Sequence, residues 1–565
     1  MINRALVIIL SITLLSCNRE PHPNILFISI DDLRPELGCY GNEFVKTPNL
    51  DDFASDGILF NSAYCQSAVC APSRASLMLG LRPDSTRVWH LGDEFRKINP
   101  EYVTMPQYFS KYGYYTVSIG KIFHNYMPDS ISWDEPDLRP FPYGEPEHLL
   151  RDGETFYVNE ESQDIQRTRR DSILAIRKVT YADGWNCGPV TEIGRGEDKD
   201  YIDGAQTDLA IETLKRIKEK DKPFFLALGY YRPHLPFAAP NKYWNLYDRD
   251  KVPMPDNPSR PEGSPSFSMN SMYELRAYGG TSLKAHPVDG TIGEDTTRLL
   301  KHGYLASVSY VDACVGKLLE AMKEMDIYDE TVIIIWGDHG WKLGDLGSWG
   351  KMTNYEIDTR VPLIVKAGRQ EGRKAKASPS PVEHSEIQGR GPGGGAYAKA
   401  NGLVELVDIF PSLCELAGIP VEDYLQGKSF VPLMENPDQD WKEAVFSQFH
   451  RRPKVAHDGG RYMGYSVRTR DFHYIQWHTW DNKLKIPSDS VTAELYDHRV
   501  DPYEKRNVVG EGEYENVIPM LSGHLHNNWR NVRYGKASCL SFDGISQYEG
   551  KSRGLSLQTA TFTYI

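Results

Sequence analysis

Several segments of the chain share one pattern: a short apolar run that ends abruptly in charged residues. NILFISIDD closes on Asp31 and Asp32, and YYTVSIGKIFH closes on Lys121 and His124. PFFLALGYYRPHLPF carries Arg232 and His234 past its apolar core, and TVIIIWGDHG closes on Asp338 and His339. Unbroken runs of Ile, Val, Leu and Phe suit strands buried on both faces, not strands with one wet side. Between the runs lie segments with helical spacing, such as DGAQTDLAIETLKRIKEK at 203–220 and SYVDACVGKLLEAMKEM at 309–325. Strands alternating with helices predict an α/β fold, a mostly parallel sheet flanked by helices. Ligands bind such sheets beyond the carboxyl ends of the strands, which is where every one of these charged clusters falls. One active site is therefore expected at that edge.

The pattern breaks elsewhere. Residues 127–200, rich in Pro, Asp and Arg, read as a loop. Residues 368–402, poor in apolar residues and rich in Gly, Pro and Ser, read as a mobile insertion. VELVDIFPSLCELAGI predicts a further helix. Beyond about residue 437, GYSVRTRDFHYIQWH and AELYDHRVDPYEKRNV read as antiparallel strands, and NVIPMLSGHLHNNWRN as a closing helix. This divides the chain into a catalytic domain at 23–437 and a smaller α+β subdomain at 438–535. The last segment, 536–565, resembles the opening strands of a laminin-G-like jelly roll, too short to bury two sheets by itself.

The N-terminus changes the picture of where the protein works. Residues 1–17, MINRALVIILSITLLSC, combine Arg4 with an apolar run from Ala5 to Leu15, too short for a mature membrane helix. This is read as a secretory signal. Leu14-Leu15-Ser16-Cys17 resembles a bacterial lipobox, so Cys17 is expected to carry lipid and anchor an exported protein to a membrane, periplasmic or at the cell surface. An ordinary signal peptide is the other reading. None of the eight cysteines forms a CxxC pair, so zinc-finger and thioredoxin chemistry are not indicated, and some cysteines are expected to pair in an oxidising compartment. The formal net charge of −13 offers no basic face for nucleic acid.

Against that background, CAPSRASLMLGL stands out. Pro72 suits the first turn of a helix that Gly80 would end. Cys70 and Arg74, four apart, share a face, where the helix N-terminus and a fixed guanidinium would attract an anionic oxo-group.

Cys70-Ala71-Pro72-Ser73-Arg74 matches the C-x-P-S-R signature of the type I sulfatases, and GYYTVSIGKIFH resembles their second signature. The resemblance runs from about Pro23 to Asn507. It is nearest to the iduronate-2-sulfatase branch, through RPDSTRVWHL, WGDHGWKLGDLGSWGKMTNYE and the segments above. It implies an alkaline-phosphatase-like fold and oxidation of Cys70 to formylglycine (3-oxoalanine) by a sulfatase-maturing enzyme. By analogy the hydrated aldehyde attacks sulfur, and its second hydroxyl later expels sulfate. Asp31, Asp32, Asp338 and His339 match the family's metal positions, with residue 70 completing the shell. Three carboxylates favour one Ca2+ over Mg2+, and His339 stands where most sulfatases carry Asn. Lys121, His124, His234 and Lys351 match sulfate-binding and proton-transfer positions. With Arg74 they would stabilise charge on the sulfuryl group, His124 assisting residue 70 and His234 binding sulfate or protonating the leaving oxygen. Trp89, His90, Trp341 and Trp349 are candidates for sugar contact, with buried packing the expected role of at least two.

The function implied is hydrolysis of sulfate esters on a sulfated polysaccharide or its oligosaccharides, with an algal polymer such as ulvan favoured. The alternatives are a glycosaminoglycan 2-O-sulfatase, a phosphatase or phosphonate hydrolase of the same fold, and a non-enzymatic glycan-binding lipoprotein. The last would need losses in the catalytic set, and the sequence shows none.

Overall fold

The computed structural model describes residues 22–124, 127–140, 156–177, 188–278, 288, 290–369, 397–453 and 456–526. The lipobox with Cys17, the tail at 536–565 and most of the expected insertion at 368–402 lie outside these residues.

The apolar runs form the centre of an eight-stranded sheet. Its strands are β1 (Asn24–Ile30), β2 (Ile58–Phe60), β3 (Tyr115–Gly120), β4 (Glu135–Leu138), β5 (Phe224–Tyr230), β6 (Thr331–Gly337), β7 (Leu363–Lys366) and β8 (Ala398–Ala400). Their order is β8-β2-β7-β6-β1-β5-β3-β4. β1 lies between β5 and β6 and is parallel to both, β3 is parallel to β5, and only β7 runs against its neighbours.

The runs lack alternation because both faces are covered. Leu26, Ile28 and Ile30 of β1 enter one apolar core and Ile25 and Phe27 enter another. Among the helices are α1 (Pro48–Asp56), α2 (Cys70–Leu79), α3 (Glu160–Arg177), α4 (Ile202–Ile217), α5 (Glu294–Glu324) and α6 (Ile409–Ala417). Helices α1, α4 and α5 pack on the first face, and α2 and α6 on the second. This is the alkaline-phosphatase-like α/β architecture.

Two expectations are corrected. The stretch read as a loop at 127–200 contains β4, α3 and a strand at Thr191–Gly194. EESQDIQRTRRDSILAIR is polar enough to read as loop, yet Glu160 and Glu161 sit in the first turn of α3, where the helix dipole favours acid. Helix α5 also begins 15 residues before the segment quoted from the sequence.

Beyond the sheet, β9 (Val445–Arg451), β10 (Tyr462–Arg468), β11 (Phe472–Asp481) and β12 (Ile486–Asp497) form an antiparallel meander, and α7 (Val517–His524) covers it. This is the smaller C-terminal α+β subdomain. It docks through β9: the Gln448 N–H donates to the Gln66 carbonyl at 2.8 Å and Ser447 Oγ to the Cys65 carbonyl at 2.5 Å. Among the described residues Cys39, Cys65, Cys70, Cys314 and Cys414 are buried free thiols, so the expected pairing is not found there. Among the same residues no helix is long and apolar enough to cross a membrane.

Candidate active site

The carboxyl ends of β1, β3, β5 and β6 converge on the N-terminus of α2. Cys70, the first residue of α2, is 2% exposed. Its Sγ lies 3.3 Å from His339 Nε2, 3.4 Å from Lys351 Nζ and 3.7 Å from Lys121 Nζ. Asp31 and Asp32 follow β1 directly, and Asp32 sits in the left-handed region at φ 58°. That turn lets its N–H donate to Asp338 Oδ1 at 3.0 Å, tying the ends of β1 and β6 together.

The charges interlock. Lys121 Nζ donates to Asp31 Oδ2, and Lys351 Nζ donates to Asp32 Oδ1 at 2.6 Å. Burial disfavours both ammonium groups, but Asp31 beside Lys121 and Asp32 beside Lys351 more than offset it and hold their pKa values above the ordinary range. Burial pushes the Asp32 carboxyl up, whereas Lys121, His234 and Arg74 overcome burial at Asp31 and hold it well down. His124 follows Lys121 at the edge of the cluster, and burial together with Lys121 pushes its imidazole well down.

Arg74 is placed differently from the sequence expectation. It is fully buried, and its donors go to Asp338 Oδ2 at 2.9 Å, Asp31 Oδ1 at 3.1 Å, Ser29 Oγ at 3.1 Å and the carbonyls of Lys121 and Ile122. It braces two carboxylates and two strand ends instead of offering its fork to a ligand.

A further acid joins the site. Glu274, on the short helix Tyr273–Ala277, lies 3.1 Å from His234 Nε2 and 3.9 Å from Lys351 Nζ. Burial alone would raise its carboxyl, but Lys351 and His234 hold it down at about 2. Since His234 Nδ1 faces the Leu235 carbonyl at 2.7 Å, both ring nitrogens meet oxygen acceptors. That environment suits a proton donor. No strand ends at Glu274 and no motif surrounds it, so the sequence pattern carried no signal for it.

The donor set also suits a cation. Asp31, Cys70, Asp338 and His339 bring one ligand atom each within 4.8 Å of one another, as do Asp31, Asp32, Cys70 and His234. His339 Nδ1 donates to the Gly340 carbonyl at 3.0 Å, which leaves the Nε2 lone pair facing Cys70 and Asp32. Asp32 Oδ2 is buried without a hydrogen-bond partner. An orphaned carboxylate oxygen beside a correctly turned imidazole fits the ligand set of a hard cation.

Of the candidate sugar contacts, Trp341 and Trp349 belong to the core, at 0% and 1% exposure. Trp341 lies under the Lys351 ammonium, 5.1 Å from its ring centroid. Trp89 donates from Nε1 to Asp84 at 3.0 Å, and His90 meets His450 of β9.

Residues 23–419 match the family model described as Sulfatase. The chain belongs to the sulfatase family. The sulfatase also matches, over residues 392–531, the model described as N-sulphoglucosamine sulphohydrolase, C-terminal. Human iduronate 2-sulfatase is 33% identical over 537 residues, covering 88% of this chain and 93% of that protein. Among solved structures, a protein in complex with its substrate, D-glucosamine-2-N,6-O-disulfate, superposes with TM-score 0.64 at 22% identity, covering 91% of this sulfatase and 99% of that chain. A phosphonate monoester hydrolase of Agrobacterium radiobacter superposes with TM-score 0.61 at 23% identity, over 90% and 96%. The shared fold thus serves more than one ester chemistry, and the family match identifies this sulfatase as a sulfuric ester hydrolase.

Proposed function

We propose that the chain removes sulfate esters from a sulfated polysaccharide or its oligosaccharides, with a formylglycine made from Cys70 and one Ca2+. The observation that carries this reading is the placement of Cys70 Sγ within 3.7 Å of two buried ammonium groups and beside the carboxylate cluster. The hydrated aldehyde at position 70 supplies the nucleophile. Asp31, Asp32, Asp338 and His339 would hold the Ca2+, which supplies Lewis-acid polarisation and neutralises charge on the sulfuryl oxygens.

The chain's own groups do the rest. Lys121 and Lys351, held charged by Asp31 and Asp32, bind the sulfuryl oxygens and meet the charge that grows as the S–O bond breaks. His234, between the Leu235 carbonyl and Glu274, gives its proton to the leaving sugar oxygen. His124 assists at residue 70. Arg74 keeps Asp31 and Asp338 in place.

On the substrate, ulvan is the first candidate. It rests on the lipobox-like start and the laminin-G-like tail, features that fit an exported, lipid-anchored polysaccharide forager. A glycosaminoglycan with 2-O-sulfated uronate is the second, favoured by the identity to iduronate 2-sulfatase. Sulfate release from a panel of ulvan, carrageenan and heparan oligosaccharides separates these, and release from none of them removes the reading. Mass spectrometry of the peptide containing residue 70 tests the formylglycine: active protein carrying only cysteine would refute it. Chelation is expected to abolish turnover and Ca2+ to restore it, whereas a stoichiometric zinc pair would point to phosphatase chemistry. Anchoring through lipid on Cys17 is tested by Cys17→Ser, which is expected to release the protein from the membrane fraction.

A further inference from the structure

The C-terminal meander reaches the catalytic centre through β9. Phe449 packs with Val69 and Met352, the chain neighbours of Cys70 and Lys351. The next residue, His450, is 4% exposed. Its Nδ1 lies 2.6 Å from His90 Nε2, and its ring lies 4.9 Å from that of Trp480. The far nitrogen, His450 Nε2, is buried and makes no hydrogen bond.

Positive charge collects around this pair. Arg452 follows β9 directly. The Trp480 N–H donates to the Arg461 carbonyl at 3.1 Å, which fixes Arg461 beside the indole. Lys485 lies in the turn between β11 and β12. Among the described residues neither Arg452 nor Arg461 forms an ion pair. The nearby carboxylate, Asp93, is engaged by the N–H groups of Trp89 and His90, each at 2.9 Å. Burial, then the neighbouring His450 and only after it these cations push the His90 imidazole down to about 2, while burial and then these cations push His450 down to about 3. The pair is therefore neutral and shares one proton across its short contact. In the tautomer where His90 Nε2–H donates to His450 Nδ1, His450 Nε2 carries a buried proton with no hydrogen-bond acceptor. That is a donor in a positive field, with nothing yet to receive it.

We propose that His450, His90 and Trp480, with Arg452, Arg461 and Lys485 around them, form a subsite for an anionic group of the saccharide other than the sulfate being cleaved. The group is a uronate carboxylate or a second sulfate ester. Either presents oxygens to His450 Nε2–H and the guanidinium groups. Phe449, the strand neighbour of His450, packs on Val69, the residue before Cys70, and on this proposal the second anion belongs to the same substrate molecule. This inference rests on the sulfate-ester reading of the Cys70 centre.

The test measures kcat and KM of the mature full-length enzyme on matched oligosaccharides: intact, carboxyl-reduced, and desulfated only away from the scissile position. The unaltered enzyme is expected to favour the intact substrate by at least about tenfold in kcat/KM, expressed in KM, because one charge-assisted hydrogen bond is worth about that factor. His450→Phe and Arg461→Gln are each expected to bring that ratio to within about twofold of one. The neutralisation that reproduces the loss names the group, carboxylate or sulfate. A ratio near one in the unaltered enzyme, or a ratio preserved in both variants, overturns the proposal. Should His450→Phe fail to fold, the exposed Arg461→Gln and the unaltered enzyme's own ratio still decide. An enzyme that releases sulfate yet ignores the second anion refutes this subsite alone; one that releases sulfate from nothing refutes the underlying reading and the subsite with it.

Discussion

Lys121 and Lys351 approach the Cys70 sulfur from two strand-end segments, at 3.7 and 3.4 Å, and each is pinned by a different aspartate. Neither has freedom to follow a sugar, which fits their proposed action on the sulfuryl group itself. Lys121→Ala or Lys351→Ala is expected to cost about 3 kcal/mol of transition-state stabilisation, about a hundredfold in kcat, on every substrate including a small aryl sulfate. Loss confined to polysaccharide turnover would place the lysines in a sugar subsite instead. Cys70→Ala is expected to abolish turnover with an unchanged melting temperature. The sequence brought these residues forward because each follows an apolar run or lies in a dense motif. Arg74 was visible as a residue but not as a brace, since hydrogen bonds to Ser29 and to main-chain carbonyls leave no trace in spacing. Glu274 was invisible, because its five-residue helix has neither an apolar run before it nor a recognisable cap.

Among the elements, β3 and β5 illustrate how strand ends aim the chemistry. Gly120 and Gly229 are register partners, and their closeness is obligatory. A Cβ on Gly229 would lie 2.0 Å from the Lys121 carbonyl oxygen, and one on Gly120, at φ 71°, would lie 2.4 Å from the Gly229 oxygen. Gly229→Ala must therefore push the strand ends apart and carry Lys121 with them. A displacement near 1 Å is expected to cost about a hundredfold in kcat while circular dichroism still reports a folded sheet. Activity within about threefold of the original would show that the two ends can part without moving Lys121. The strands themselves were legible because burial on both faces leaves an unbroken apolar signature. Helix α3 was not, because its polar sequence, EESQDIQRTRRDSILAIR, resembles that of a loop.

At the scale of the molecule, the C-terminal subdomain is riveted to the catalytic domain by a buried polar network. The Glu356 N–H donates to Glu504 Oε2 at 2.9 Å, and Glu504 also meets His473 and His498. Arg468 Nε holds Glu356 at 3.0 Å. Burial would raise both carboxyls, but His473 holds Glu504 well down and Arg468 holds Glu356 at about 2. A carboxyl depressed in the folded state stabilises it above its unfolded pKa, about 4.3, and loses that contribution as pH falls through the folded value. The melting temperature is therefore expected to fall as pH drops from about 4.5 towards 2, with Glu504→Gln flattening the slope. An identical acid profile in the variant would show that the network does not govern docking. The sequence showed the change of texture near residue 437. It could not show which residues cross the boundary, since Glu356 and Glu504 are distant in the chain.

The depth of Cys70 has a consequence for the order of events in the protein's life. Every residue of α2 is buried, and the thiol sits at its first position beneath β9 and the ends of the sheet. An enzyme that converts this side chain on the proposed reading cannot reach it once the domain has closed. On that reading the conversion would take place while the segment is still an extended peptide, before the domain folds. Folding and maturation then race for the same stretch of chain, and a molecule that folds first is locked in the thiol form. Protein purified as Cys70 would stay inert when mixed with a competent maturing enzyme, and would yield to it only after being unfolded.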